Sequence, residues 1–145
     1  MNRKIALCVA LCLVWPGLAA AQSAKSVLEE AGFVGTWAIQ CGSGPELENG
    51  HQVFEIQSSG SAQVRILFGK GYENLVYVIR EIRRLPGGQI WMRTSFKSED
   101  RELTMLREGN RLRTMSNRRT DGTFVVKDGI LVASGSETPW ITRCR

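Results

Sequence analysis

Apolar and polar residues alternate with period two from Phe33 to the end of the chain, which predicts β-strands throughout this part. The strands are short, recur about every 8–12 residues and are separated by Gly, Pro, Asn and Asp. Asp121-Gly122 and Asp128-Gly129 are typical of two-residue hairpin turns. The pattern therefore predicts an all-β protein, a small antiparallel up-and-down β-barrel of about eight or nine strands.

A short N-terminal helix is predicted before the strands, over residues 23–31. Ser26 and Glu29 have the spacing of a capping box, and Gly32 stands where a C-terminal cap belongs. A helix of this length is not stable alone, so we expect it to pack against the barrel.

The alternation along the strands places many large apolar side chains inside the barrel, among them Trp37, Phe54 and Phe96. An eight-stranded barrel either fills itself with such residues or holds one small ligand. The number of large residues favours a filled core. A partial apolar cavity near Tyr77, Met92 and Met105 is the alternative.

The first 21 residues have the organisation of a signal peptide. Arg3 and Lys4 precede an apolar run, Ile5–Trp15, and Ala19-Ala20-Ala21 supplies a small-residue cleavage site. The apolar run is too short to span a membrane. We therefore expect residues 1–21 to be removed, residues 22–145 to form a single domain without a membrane span, and the protein to be periplasmic or secreted.

Export changes the interpretation of the cysteines, because Cys8 and Cys12 would leave with the signal peptide. Cys41 and Cys144 would then be the remaining pair in an oxidising compartment, where paired thiols become disulfides. The alternative is two buried free thiols. We expect a disulfide that joins the two ends of the domain.

Gly35-Thr36-Trp37 resembles the opening strand of the calycin barrels, namely the lipocalins, fatty-acid-binding proteins and avidins. In these proteins a short helix precedes a Gly-x-Trp at the start of the first strand. Arg143 resembles the last-strand arginine that covers this tryptophan through a cation–π contact. The resemblance implies structural, barrel-closing roles for Trp37 and Arg143.

The residues needed for catalysis are scarce. His51 is the only histidine, no Gly-x-Ser-x-Gly elbow is present, and the cysteines are expected to be oxidised. An exposed histidine at a loop end is the simplest interpretation of His51. No cluster of Cys and His has metal-ligand spacing. We therefore expect neither enzymatic activity, nor a metal site, nor a cofactor.

The charge distribution is uneven, and residues 80–119 contain 11 basic side chains against 5 acidic ones. Strand parity predicts an outward-facing patch of arginines with an interleaved tryptophan: Arg80, Arg84, Arg93, Arg111, Arg113 and Trp91. Guanidinium groups suit carboxylate and phosphate partners. The equal alternative is a solvated face with Arg–Glu pairs across the strands. Nucleic acid, the usual partner of such a stripe, is unexpected for an exported protein.

These observations predict an exported, non-enzymatic binding protein. Its partner would be a small apolar ligand inside the barrel or an anionic envelope component on the arginine patch. The alternative is a protein–protein module, such as an inhibitor of a secreted or periplasmic hydrolase. In that case the Gly-rich loop of residues 42–50 would insert into the partner.

Overall fold

The computed structural model describes residues 23–145, so the predicted signal peptide, residues 1–21, lies outside the described residues. The helix α1 spans Ala24–Glu30. The first five strands are β1 (Gly35–Ala38), β2 (His51–Ile56), β3 (Ala62–Leu67), β4 (Leu75–Leu85) and β5 (Gln89–Phe96). They are followed by β6 (Glu99–Glu108), β7 (Arg111–Arg119), β8 (Phe124–Lys127), β9 (Ile130–Leu131) and β10 (Ile141–Arg143).

The sheet closes into an eight-stranded antiparallel barrel. Strands β1 to β7 pair in chain order, and β10 bridges the gap between β7 and β1. Ile141 lies opposite Leu112 on one side, and Arg143 lies opposite Trp37 on the other. Strands β8 and β9 extend outward from the far half of β7. The predicted fold class is thus confirmed.

Helix α1 begins three residues earlier than the capping-box interpretation implies. Ser23, not Ser26, is the N-cap, because its hydroxyl accepts a hydrogen bond from the Ser26 amide at 3.2 Å. Val27 and Leu28 of the helix are fully buried against the barrel, as its short length requires. Among the described residues no helix has the length and apolarity that a membrane crossing requires.

Large buried side chains fill the barrel core at the end that the helix covers. Phe33 lies between the helix and the first strand, and its ring contacts those of Trp37 and Phe54 at 6.5 and 5.6 Å between centroids. Ile90 and Leu112 belong to the same cluster and are fully buried. The helix therefore covers one end of the barrel.

Within the eight strands of the barrel, two register shifts change the alternation of inward and outward side chains that the sequence suggests. The pairing of β4 with β5 shifts between Ile79 and Glu81, so Arg80 is an extra residue in its strand. A second shift makes Met115 the extra residue of β7. Each bulge turns the following side chains to the opposite face.

Strand β1 is shorter than the alternation predicts. It ends at Ala38, and the next residues leave the sheet, so that Ile39 and Cys41 are exposed and do not share the inward face of Trp37. Cys41 nevertheless forms the predicted disulfide with Cys144, with a Cα–Cα distance of 5.2 Å. The disulfide is thus confirmed, and it ties the chain just after β1 to the chain just after β10.

Candidate functional site

The barrel interior contains a cavity of about 130 Å³ in the half away from the helix. Its apolar walls include Phe54, Val64, Tyr77, Met92 and Met105. The interior is therefore only partly filled, and the cavity includes the three residues at which the sequence left this alternative open. Methionine side chains are unbranched and adaptable, so these walls are able to adjust to an occupant.

Polar side chains also line this cavity: Gln52, Thr94, Arg101, Thr114 and Asn117. Thr94 is 1% exposed, and its hydroxyl has no hydrogen-bond partner in the described part of the chain. The side-chain oxygen of Asn117 is buried and equally unpartnered there. Buried polar groups in proteins are nearly always hydrogen-bonded, so two such atoms at one cavity indicate a place for a polar group of an occupant.

The register brings three of the polar residues to one level of the wall. Thr94 on β5 lies directly opposite Arg101 on β6. Asn117 on β7 lies opposite Leu103 and is therefore the diagonal neighbour of Arg101. Side chains directly opposite have Cβ atoms about 5 Å apart, and diagonal ones about 7–8 Å apart. These three residues are called the polar wall below.

The Arg101 side chain lines both the interior cavity and a surface groove of about 290 Å³. Its Nη2 donates to both carboxylate oxygens of Glu99 at 3.1 Å. Glu99 also contacts Nε of Arg119 at 3.6 Å, so two guanidinium groups share one carboxylate.

The structure places Trp37 and Arg143 together at the closed end of the barrel. Trp37 is fully buried, and its indole nitrogen donates to the Phe33 carbonyl at 2.8 Å. The Arg143 guanidinium carbon lies 5.9 Å from the indole centroid, and Nη2 donates to the Val34 carbonyl at 2.7 Å. Gly35, two residues before Trp37, has a φ of 132°, which other residues rarely adopt, and a Cβ there would lie 3.3 Å from Nε of Arg143.

The arginines of the predicted patch are mostly engaged with carboxylates. Four of the five have acidic partners: Arg84 with Glu30, Arg93 with Glu81, Arg111 with Glu108, and Arg113 with Glu137. Arg80 instead donates to the Ser95 hydroxyl at 3.2 Å. Two of these pairs, Arg93–Glu81 and Arg111–Glu108, join neighbouring strands as the alternative expected, whereas Arg84 and Arg113 pair with the helix and with a loop, and a partner for the patch stays a prediction.

The patch residues also do not share one surface. Because of the bulge at Arg80, Arg84 lies opposite Ile90, a core residue, and reaches the helix. The Arg113 side chain is only 14% exposed and donates to the Gly129 carbonyl at 2.8 Å. Trp91 is half-buried and has Arg83 over its ring at 4.5 Å. Sequence alternation placed Arg80 and Arg84 with the others because it does not register the bulge in β4.

The 42–50 loop is held at its base by Asn49, which is almost fully buried. Asn49 accepts a hydrogen bond from the Gln40 amide and donates to the Gln40 carbonyl, both at 2.9 Å. His51, expected to be exposed, is buried beside it, with its Nε2 3.4 Å from Nδ2 of Asn49. The loop presents Leu47, which is 59% exposed.

Replacing Gly69 with alanine tests how tightly this loop packs on the β3–β4 turn. A Cβ at Gly69 would lie 2.1 Å from the Pro45 carbonyl oxygen of the loop, whereas a Cβ at Gly71 would have no atom within 4 Å. Both glycines have positive φ, so both variants lose the same kind of backbone freedom. We expect Gly69→Ala to lose about 1–3 kcal/mol more than Gly71→Ala in urea unfolding. Equal losses would contradict the packing of the loop.

A second substitution tests the unpartnered hydroxyl. Thr94→Val removes it without changing the shape of the side chain, so we expect the ligand-free protein to gain about 1 kcal/mol. Thr104→Val, on the outward face of β6 opposite Trp91, is the control and should stay within about 0.5 kcal/mol. Urea unfolding of both variants is the measurement. A loss of stability in Thr94→Val would show that the hydroxyl has a bonding partner.

Among residues 23–145 no group of three or more His, Cys, Asp or Glu is placed to hold a metal ion. The polar wall was the part of the site that sequence reasoning missed. Alternation from Leu103 and Met105 would have placed Arg101 inward, and Thr94 shares the face of Met92. Asn117 carried no such signal, because the bulge at Met115 reverses its parity.

Comparisons of the whole chain with known proteins found no significant match. No family model matches the chain, and neither a curated protein nor a solved structure is significantly similar to it.

Proposed function

We propose that this protein binds a small, largely apolar molecule inside its barrel. The observation that carries the proposal is the cavity of about 130 Å³ beside the unpartnered hydroxyl of Thr94 and the unpartnered amide oxygen of Asn117. Apolar walls would supply the affinity, and the polar wall would orient the ligand.

The size of the cavity limits the ligand. Pockets for drug-sized molecules usually measure about 300–1,000 Å³, whereas an apolar cavity of about 150 Å³ in another protein holds benzene. A cavity of about 130 Å³ therefore suits a molecule of roughly five to seven non-hydrogen atoms. Movement of Met92 and Met105 would allow the upper end of this range.

The two buried polar atoms at the cavity favour an occupant with a polar group. Each buried polar atom without a partner costs about 1–3 kcal/mol, so a ligand that bonds the Thr94 hydroxyl and the Asn117 amide oxygen would recover part of this free energy.

We further propose that the protein acts in the periplasm or outside the cell, after removal of residues 1–21. The disulfide between Cys41 and Cys144 supports an oxidising compartment. Its function there would be binding without catalysis.

Titration with small molecules tests the proposal. We expect 1-pentanol and benzene to shift the NMR signals of residues that line the cavity, Val64 and Met105 among them. Val64→Phe would fill the cavity and abolish these shifts, whereas Val53→Phe on the neighbouring strand, outside the cavity lining, would retain them. Dispersed amide spectra would establish that both variants are folded. Absence of shifts in the wild-type protein would refute the proposal.

Native mass spectrometry of the protein purified from its own host would identify the natural ligand. We expect an added mass of about 70–120 Da, the range of molecules with five to seven non-hydrogen atoms. The added mass should be missing in Val64→Phe.

The 42–50 loop supports a second candidate function, the inhibition of a secreted or periplasmic hydrolase. Leu47 is exposed at the tip of a loop whose base is held by Asn49 and, close by, by the disulfide at Cys41. A rigid loop that presents an exposed side chain loses little entropy when it inserts into a cleft.

A comparison of two exposed residues tests this candidate. Leu47 and Val132 are 59% and 57% exposed, but Val132 lies on the separate β9 side of the molecule. We expect a hydrolase to be recovered from envelope extract by the wild-type protein and by Val132→Ala, and to be lost with Leu47→Ala. If the wild-type protein recovers no hydrolase, this candidate is wrong.

A further inference from the structure

We propose that the ligand of the barrel cavity is a short-chain monocarboxylate, which binds with its carboxylate on Arg101 and its hydrocarbon chain among the apolar walls. This inference rests on the proposed function and adds the chemical class of the ligand. Three observations support it: the donors of the polar wall, the charge around Glu99, and the position of Arg101 between the interior cavity and the surface groove.

The polar wall has the donors that a carboxylate requires. The Arg101 guanidinium offers five N–H donors, and within the described part of the chain only Nη2 has an acceptor, on Glu99. Thr94 lies directly opposite, and its buried hydroxyl is free to donate. The unpartnered atom of Asn117 is its amide oxygen, an acceptor, and rotation by about 180° around the last side-chain torsion would put the Nδ2 donor in its place. After that rotation a carboxylate would have donors from three adjacent strands.

The charge near the polar wall favours an anion. Arg101 and Arg119 share the single carboxylate of Glu99, which leaves this group of three with a net positive charge. The adjoining groove is lined by four arginines and two acidic residues: Arg93, Arg101, Arg118, Arg119, Asp100 and Glu102. Glu81 and Glu99 also pair with these arginines, so the groove as a whole is balanced, and the excess positive charge is confined to Arg101 and Arg119 around Glu99.

The position of Arg101 supplies an entry route. Its side chain is 20% exposed and lines both the charged groove and the apolar cavity. A carboxylate that first contacts the groove would thus meet Arg101 before its chain enters the barrel. The cavity volume, about 130 Å³, accommodates a monocarboxylate of roughly three to five carbons in all.

Three probes with the same five-carbon chain test the inference: pentanoate, 1-pentanol and pentylamine. We expect pentanoate to bind about ten- to hundredfold more tightly than 1-pentanol, the usual gain from a hydrogen bond to a charged group. Pentylamine should bind more weakly than either. Affinities are measured by calorimetry, and NMR shifts at Thr94 and Asn117 locate the bound probe.

Two arginine variants separate the polar wall from the groove. Arg101→Gln should remove the preference for pentanoate and leave the affinity for 1-pentanol unchanged. Arg119→Gln is the matched control, because Arg119 shares Glu99 but does not line the cavity, and its affinity for pentanoate should stay within about threefold. If Arg101→Gln does not fold, Arg101→Lys keeps the charge and should reduce the preference only in part.

The outcomes distinguish this inference from the proposed function. Equal binding of pentanoate and 1-pentanol to the wild-type protein would overturn the inference and leave the proposed function intact. Preferred binding of pentylamine, or a loss of pentanoate binding in Arg119→Gln alone, would also overturn it. Absence of binding of all three probes would overturn both.

Discussion

Replacing both cysteines, in Cys41→Ser/Cys144→Ser, should lower the free energy of unfolding by about 3–4 kcal/mol. The disulfide closes a loop over a sequence separation of 103 residues. In the chain-entropy model a loop of about this length restrains the unfolded chain by at most roughly 4.7 kcal/mol, and measured values are commonly lower. For a domain of this size the loss corresponds to a melting temperature about 10–20 °C lower.

Thermal unfolding of the wild-type protein with and without a reducing agent is the matched control. Reduction should lower the melting temperature of the wild-type protein to that of the double variant and should leave the double variant unchanged. A double variant with the stability of the oxidised wild-type protein would show that the crosslink does not restrain the unfolded chain.

The disulfide lies beside the pairing of β1 with β10, which closes the barrel and is called the barrel seam below. Strands β1 and β10 contain only four and three residues, so few hydrogen bonds join them. The Cys144 amide adds one more, to the Thr36 carbonyl at 2.8 Å. We expect hydrogen exchange in the double variant to accelerate first at this seam, since a crosslink just beyond both strands keeps them together.

Trp37→Ala should be the most damaging single substitution in the core, with a loss of about 3–5 kcal/mol. Trp37 is fully buried at the end that the helix covers and contacts the Phe33 ring. Its removal would leave a large cavity beneath the helix and would also leave Arg143 without its aromatic partner.

Two further variants divide this effect into its parts. Trp37→Phe keeps an aromatic ring but leaves the Phe33 carbonyl without the indole donor, so we expect a loss of about 1–3 kcal/mol. Trp91→Ala, on the outward face, should cost only about 1 kcal/mol, mainly the contact with Arg83. Urea unfolding is the measurement, and equal losses for Trp37→Ala and Trp91→Ala would contradict a barrel-closing role for Trp37.

The fold was largely predictable, because hydrophobic alternation is a local signal. Val64 and Ile66 on one strand and Leu103 and Met105 on another show it without interruption. The Asp128-Gly129 turn was equally readable, because it joins β8 to β9 through two residues of positive φ. The Asp121-Gly122 turn is wider than the predicted two residues: residues 120–123 separate β7 from β8, and Asp121 does not have positive φ. There the Thr123 amide donates to Asp121 at 2.8 Å, and this hydrogen bond lowers the pKa of the carboxyl below its usual value. Short connections then leave an antiparallel barrel as the simplest way to bury one face.

The candidate site was less predictable, because its polar residues look like ordinary surface residues in the sequence. Thr94 and Asn117 are residue types that mostly occur on surfaces, and Arg101 belongs to an arginine-rich segment. Their burial depends on how three strands stack side by side. The positions of Arg80 and Arg84 in the predicted patch were missed for a related reason, since the bulge in β4 depends on its pairing with β5. Carboxylates from neighbouring strands and from the helix pair with Arg84, Arg93 and Arg111.

The amino-acid sequence by itself determined the all-β class, the helix before the first strand, the pairing of Cys41 with Cys144 and the inward position of Trp37. Each of these follows from local periodicity or from elimination among few residues. The tertiary structure decided where alternation is interrupted, at Arg80 and at Met115. A bulge depends on the twist and closure of the whole sheet, which no local window contains. Since each bulge reverses the faces beyond it, only the folded barrel could bring Asn117 to the cavity and direct Arg84 to the helix.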